Sequence, residues 1–410
     1  MQTERDKSVI QSKSISNDDL ELIKLISEKI RIACNIASGE LQLHEPSFEG
    51  NEWKYVKDCL DSGWVSSVGK YVDAFEAKLC EITGSKRAIA VSNGTSALHI
   101  ALRLAGVLPG EEVLVPSITF VATANAISYV QAIPHFVDSS VSNLGVCPLK
   151  LKAWLKCSTK VEGDSLINTA TGRRISALIV VHVLGHSADL DAIQEVCEEF
   201  HLKMIEDAAE ALGTFYKGRH VGNDGILSCL SFNGNKTVTT GGGGAILTND
   251  ETIGDLAKHI TTTAKIPHSW NFFHDQLGFN YRMPNINAAL GLAQLEKLPE
   301  FLSRKRKLAE AYEKVFSNIE GVQFFKAPVY SNSNHWLNAL LLKEGILEAL
   351  LDCTYQQQIF ARPLWTPMHK LPMYVNCPKQ KLDNAEWLFK NLITLPSGPK
   401  LKPAADTPNG

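Results

Sequence analysis

From residue 86 onward, short apolar runs recur along the chain: "RAIAVS", "EEVLVP", "IPHFVD", "ISALIVVHV", "LKMIEDA", "ILSCLSF" and "GGAILTN". They are short for helices and too continuously apolar for strands with one wet face. Amphipathic segments such as Leu190 to Phe200 separate them. This alternation predicts a mostly parallel sheet covered by helices on both faces. After about residue 285 the pattern turns helical ("NINAALGLAQLEKLPEFLSRKRKLAEAYEKVF"), and a mixed segment with prolines around "RPLWTPMHKLPMY" follows. The expected fold is therefore α/β, with a large sheet-bearing domain over residues 41–290 and a smaller α+β domain over 291–400. Residues 1–40 read as an extension containing a helix, with Ser16 or Asn17 as its cap and Leu20, Ile23, Ile26 and Ile30 at helical spacing. Residues 1–15 and the tail 401–410 have little to bury and are expected to be disordered.

Composition narrows the function classes. A formal charge of -3 over 410 residues, with signs mixed throughout, gives no basic footprint for nucleic acid or an anionic membrane. The nine cysteines are scattered without CxxC pairs, and the polar N-terminus shows no apolar signal segment, so a cytoplasmic location is expected. Val113 to Val137 contains no charged residue, but Pro116, Pro134, Asn125 and Gln131 suit a buried strand, loop and helix better than lipid.

In open parallel sheets ligands sit beyond the carboxyl ends of the strands, so the residues after each apolar run carry the chemistry. After "RAIAV" comes Ser92-Asn93-Gly94-Thr95-Ser96, opening a helical segment. Free amides and a positive dipole end suit a phosphate there, although the turn alone also reads as a plain helix cap. After "LKMI" come Glu206 and Asp207, a carboxylate pair able to meet a protonated ring nitrogen or to cap the next helix. After "ILSCLSF" comes Lys236, among Ser231, Asn233, Gly234 and Asn235. Crowding and desolvation there are expected to disfavour its ammonium and make it an amine nucleophile and base. Gly241 to Gly244 leave room for a flat ligand beside the backbone. A phosphate turn, a strand-end acid and a buried lysine are the set that pyridoxal phosphate requires. Neither a P-loop nor a GxGxxG turn is present, and His182 and His186 lack the glutamate of a zinc HExxH, so no metal is expected.

The segments "SNGTSALHIAL", "PSITFVATANAI", "IEDAAEALG", "SFNGNKTVTTGGGGAILTN" and "FNYRMPNINAALGLAQLEKL" resemble the nucleotide-sugar aminotransferases, a branch of the fold-type I pyridoxal phosphate enzymes. The resemblance runs from about residue 43 to 395. "LHEPSFEGNEWKYVKDCLDSGWVSSVGKYVDAFE" and "ARPLWTPMHKLPMY" look most like the branch that aminates C4 of a UDP-linked 4-keto-6-deoxy-N-acetylglucosamine, for bacillosamine or legionaminic acid in bacterial surface glycans. A different nucleotide (GDP or dTDP), amination at C3, or a non-catalytic regulatory relative are the alternatives.

The resemblance implies that Lys236 bonds covalently to the cofactor and shuttles protons, and that Asp207 faces the pyridine nitrogen. It implies that Gly94, Thr95 and the Ser231 hydroxyl hold the phosphate, and that Phe120 stacks on the ring. Glu210 stands where many relatives carry glutamine near the phenolic oxygen. Asn280 would reach the cofactor phosphate of a neighbouring subunit, which makes the active unit a homodimer. Arg362 and His369 are expected to contact the substrate, with structural packing and surface charge as the alternative. L-glutamate is the expected amino donor.

Overall fold

A computed structural model describes residues 15–403. The expected disorder of residues 1–14 and 404–410 lies outside these. The large domain is built on a sheet whose strands run, in spatial order, Arg87–Val91, Gly244–Thr248, Leu227–Ser231, Lys203–Asp207, Arg174–Val181, Glu112–Pro116 and Ile133–Val137. Pairings are parallel from Leu227–Ser231 across to Ile133–Val137. Gly244–Thr248 runs antiparallel to both of its neighbours.

Side chains alternate across this sheet with the period of two that a strand imposes. Ile89, Val113, Val115, Ile179, Ile205, Cys229 and Ile246 pack on one face, with the helices Gly94–Leu104, Val121–Tyr129 and Glu251–Thr261. Ala90, Leu114, Leu178, Met204, Leu230 and Leu247 pack on the other, with Lys70–Thr83, Pro148–Ser158, Leu190–Glu199 and the start of Asn285–Phe316. Two covered faces explain the unbroken apolar runs, each buried aliphatic side chain contributing roughly 1.5–3 kcal/mol. The uncharged stretch Val113 to Val137 becomes strand, helix and strand within this core. Among the described residues no helix is long and apolar enough to cross a membrane.

The smaller domain is an antiparallel sheet in the order Val322–Phe324, Asn338–Leu342, Leu392–Leu395 and Arg362–Pro363. Its core includes Ile23, Ile26 and Ile30 of the helix Asn17–Cys34, together with Leu308, Tyr312 and Leu350. Ser16 caps that N-terminal helix, accepting from the Asp19 amide in a capping box. The extension is thus part of the small domain's core. The boundary expected at 290/291 falls within a continuous helix, Asn285–Phe316. Its first half buries Ala288, Leu295, Leu298 and Leu302 in the large domain, and its second buries Leu308, Tyr312 and Phe316 in the small one. One amphipathic helix serving two cores leaves no composition break for sequence to register.

The fold also holds neutral imidazoles in its interior. Burial pushes His186 and His220 down to about 4 and His335 to about 3. Their unfolded forms take up protons below about 6.5, whereas the native forms do not until well below that. Stability from these groups is therefore complete above pH 6.5 and falls as pH drops toward 4. Glu112 and Glu206, whose carboxyls hydrogen bonds from His135 and His182 hold below the usual range against the cost of burial, extend the loss below pH 4.5. Denaturant midpoints measured from pH 7.5 to 4 should fall steeply over that window. His186, with both ring nitrogens unpartnered and its ring against Phe325, should account for about 3 kcal/mol of the fall. An unchanged slope in His186→Leu would reject that assignment.

Candidate active site

The sheet topology brings the strand ends together. Asp207 closes its strand opposite Val181 on one side and Cys229 on the other, and Ser231 pairs with Gly244. Gly94, Thr95, Phe120, Asp207, Glu210, Ser231 and Lys236 all line one cavity of about 280 Å3 at this edge.

Asn93 caps the helix Gly94–Leu104, its Oδ1 accepting from the Ser96 amide at 2.8 Å. The turn fits closely against the sheet: a Cβ on Gly94 would lie 3.0 Å from Ser231 Cβ, and one on Gly244 would lie 2.5 Å from the Asn93 carbonyl carbon. Those two glycines let the Ser231 hydroxyl and the helix N-terminus approach one small volume.

Adjacent positions on one strand point oppositely, which separates the two carboxylates. Glu206 faces away, accepting from His182 Nε2 at 2.9 Å and from the amides of Gly222, Asp224 and Gly225. It is a structural anchor. Asp207 faces the cavity, accepting from Thr123 Oγ1 at 2.8 Å and the Ala209 amide at 3.2 Å. Burial pushes its carboxyl above the usual range, offset in part by those two bonds.

Lys236 is mostly buried, its side chain 14% exposed. Its Nζ lies 3.2 Å from Glu210 Oε1 and 3.8 Å from the centre of the Trp336 ring. A carboxylate and an aromatic face thus flank this amine, two partners that the sequence reading of crowding and desolvation did not include. Glu210 in turn accepts from the Leu184 amide at 2.9 Å, and burial raises its carboxyl. Phe120 stands at the rim, 53% exposed, its ring 6.5 Å from that of Trp365.

Other expected residues are placed elsewhere. Asn280 is exposed and bridges to Thr262, outside the cavity of its own chain. Arg362 is exposed on an edge strand and lines an adjoining recess of about 400 Å3, which shares Asn235, Trp336 and Trp365 with the first cavity. His369 lines neither space. It is buried, with Nδ1 2.7 Å from Ser117 Oγ and Nε2 3.1 Å from Glu386 Oε1, and it ties the small domain to the end of a large-domain strand. The reading of the sequence also missed Thr123, Trp336 and Trp365. Thr123 had one signal, its i,i+4 spacing from Thr119, whose hydroxyl it meets at 2.8 Å. The tryptophans, distant in sequence, had none.

The sequence matches the DegT/DnrJ/EryC1/StrS aminotransferase family over residues 46–407. The chain belongs to that family. As a DegT/DnrJ/EryC1/StrS aminotransferase it is a pyridoxal phosphate-dependent sugar aminotransferase. It is 40% identical over 362 residues to a GDP-perosamine synthase of Escherichia coli O157:H7, covering 88% of this chain and 94% of that one. A GDP-perosamine synthase of Vibrio cholerae is 35% identical over 365 residues, covering 88% and 95%. Among solved structures, the aminotransferase TlmJ of Streptoalloteichus hindustanus superposes with a TM-score of 0.80 at 27% identity, covering 90% of this chain and 95% of that one.

The family's cofactor suits these residues on physical grounds. The capped helix end and Ser231 offer donors for a phosphate, and Asp207 is a buried carboxylate that a protonated ring nitrogen would satisfy. Phe120 offers a flat rim, and Lys236 presents the amine.

Proposed function

We propose that this aminotransferase moves the amino group of L-glutamate to C4 of a GDP-linked 4-keto-6-deoxy sugar, giving a 4-amino sugar nucleotide for surface glycan synthesis. The observation that carries the reading is Lys236 paired with Glu210 over a cavity floored by Asp207, in a chain 40% identical to a GDP-perosamine synthase. The UDP-linked substrate expected from sequence has no support in these relatives, whose names specify GDP.

When bound, pyridoxal phosphate supplies an aldehyde that accepts the amino group and a ring that takes up the electron pair of the broken C–H bond. Asp207 holds the ring-nitrogen proton in place. Lys236 Nζ takes the proton from the donor's α-carbon and, in the second half-reaction, delivers one to C4 of the sugar. Glu210 and Trp336 hold that amine at the cavity whenever it is not covalently engaged. Phe120 and Trp365 cover one side and limit water. The active unit is read as a homodimer, in which Asn280 reaches a neighbouring cavity. The exposure of Trp270, Phe272, Phe273 and Leu277 just before Asn280 supports an apolar contact there.

The test is a panel of GDP-, UDP- and dTDP-linked 4-keto-6-deoxy sugars with L-glutamate, products identified by mass and NMR. The GDP sugar should be preferred at least about tenfold in kcat/KM, about 1.4 kcal/mol of discrimination. Faster turnover of a UDP or dTDP sugar would overturn the nucleotide assignment.

A further inference from the structure

We propose that the recess adjoining the cofactor cavity binds the side-chain carboxylate of a dicarboxylic amino donor, with Arg362 as its counter-ion. This rests on the reading of L-glutamate as donor and places its second acid group.

The two spaces have opposite electrostatic character. Asp207 and Glu210 line the cofactor cavity, both buried. Among the residues that line the recess there is no Asp or Glu. A dicarboxylate whose α-carbon lies at Lys236 is therefore repelled at the cavity floor and meets no negative group in the recess. The shared walls, Asn235, Trp336 and Trp365, make the two spaces adjoin, so a donor side chain of three carbon–carbon bonds is directed from one toward the other.

A cation also lines the recess. Arg362 forms no ion pair among the described residues, and its backbone is held by the strand pairing with Thr394, whose Oγ1 donates to the Arg362 carbonyl at 2.9 Å. Behind the recess lies Lys305, 1% exposed, with Nζ 3.0 Å from His44 Nε2, 3.1 Å from the Trp336 carbonyl and 2.5 Å from the Ser397 carbonyl. His44 lines the recess, and its Nδ1 is buried without a partner. Burial pushes both Lys305 and His44 below their usual ranges, and an anion in the recess would favour their charged forms. The remaining wall is apolar, including Leu43, Leu337 and Leu364. One guanidinium in a largely apolar recess suits methylenes ending in a single carboxylate. A sugar diphosphate, the other anion in the reaction, carries two phosphates and a bulky nucleoside and would leave most of its charge unmatched.

The experiment follows loss of the visible cofactor band in the loaded enzyme as donor is added. Arg362→Met should raise the half-saturating concentration of L-glutamate at least tenfold relative to that of L-alanine, which has no second carboxylate, and Arg362→Lys should recover part of the difference. In the unmodified enzyme, glutarate should compete with L-glutamate at least tenfold more tightly than pentanoate does. Equal inhibition by the two acids overturns the proposal. So does an Arg362→Met enzyme whose defect appears in the KM of the keto sugar, which would give the recess to the diphosphate. If L-glutamate fails to bleach the unmodified enzyme at all, the donor reading itself fails. Normal bleaching with no shift in Arg362→Met removes only the recess assignment.

Discussion

Replacing Lys236 with alanine is expected to lower turnover at least about 10⁴-fold and to abolish the visible band that cofactor gives the unmodified protein. Lys236→Arg separates chemistry from architecture. A guanidinium retains a cation near Glu210 and above the Trp336 ring, 3.8 Å from Nζ in the native chain, but it does not release a proton to become a nucleophile. The arginine variant should therefore be as inactive as the alanine variant while melting closer to the unmodified protein. Alanine leaves the buried Glu210 with only the Leu184 amide at 2.9 Å as partner, so it should melt lower. Residual turnover within a hundredfold in either variant would contradict the role assigned to this amine.

Asp207→Asn should reduce turnover roughly 10³-fold, yet leave the cofactor-free protein as stable as before or more so. The two effects have one origin. Burial raises the Asp207 carboxyl in the folded chain, so the folded state favours its protonated form. The sign follows from linkage: stability attributable to this group is greatest below its unfolded value near 3.8 and is lost as pH rises through the raised folded value. Ionising this carboxyl in the cofactor-free protein buries a charge that Thr123, the Ala209 amide and the nearby Lys236 only partly offset. A protonated pyridine nitrogen would offset that charge, and asparagine would remove both the burial cost and the partner that keeps the ring protonated. Melting temperatures of loaded and cofactor-free protein would show it, since the gain on loading should shrink in Asp207→Asn. An unchanged gain, or a kcat within tenfold of the original, would refute the pairing.

What could be read from sequence follows from how each feature is encoded. The parallel sheet was legible because two covered faces force uninterrupted apolar runs, and the gathering of Asp207, Ser231 and Gly94 at one cavity was legible because such sheets place ligand-facing residues at the ends of those runs. Lys236 was found by the same rule, but its environment was not. Glu210 lies on another strand end and Trp336 in the smaller domain, so the contacts that hold the amine are tertiary. His369 was read as a binding candidate because it sits among prolines and aromatics, with packing as the alternative; its contacts with Ser117, distant in the chain, and with Glu386 could not be read from that pattern. The domain boundary was hidden because the helix Asn285–Phe316 changes partners without changing its own periodicity.

That helix has a bearing on how substrates enter. A single rod threads both lobes, and its natural bending point, Pro299, is flanked by Leu298 and Leu302, both embedded in close-packed interior. Swinging the lobes apart would expose that seam, which sets a packing cost on any opening between them. Admission through surface segments and rim side chains avoids that cost, and leaves selectivity to walls already standing.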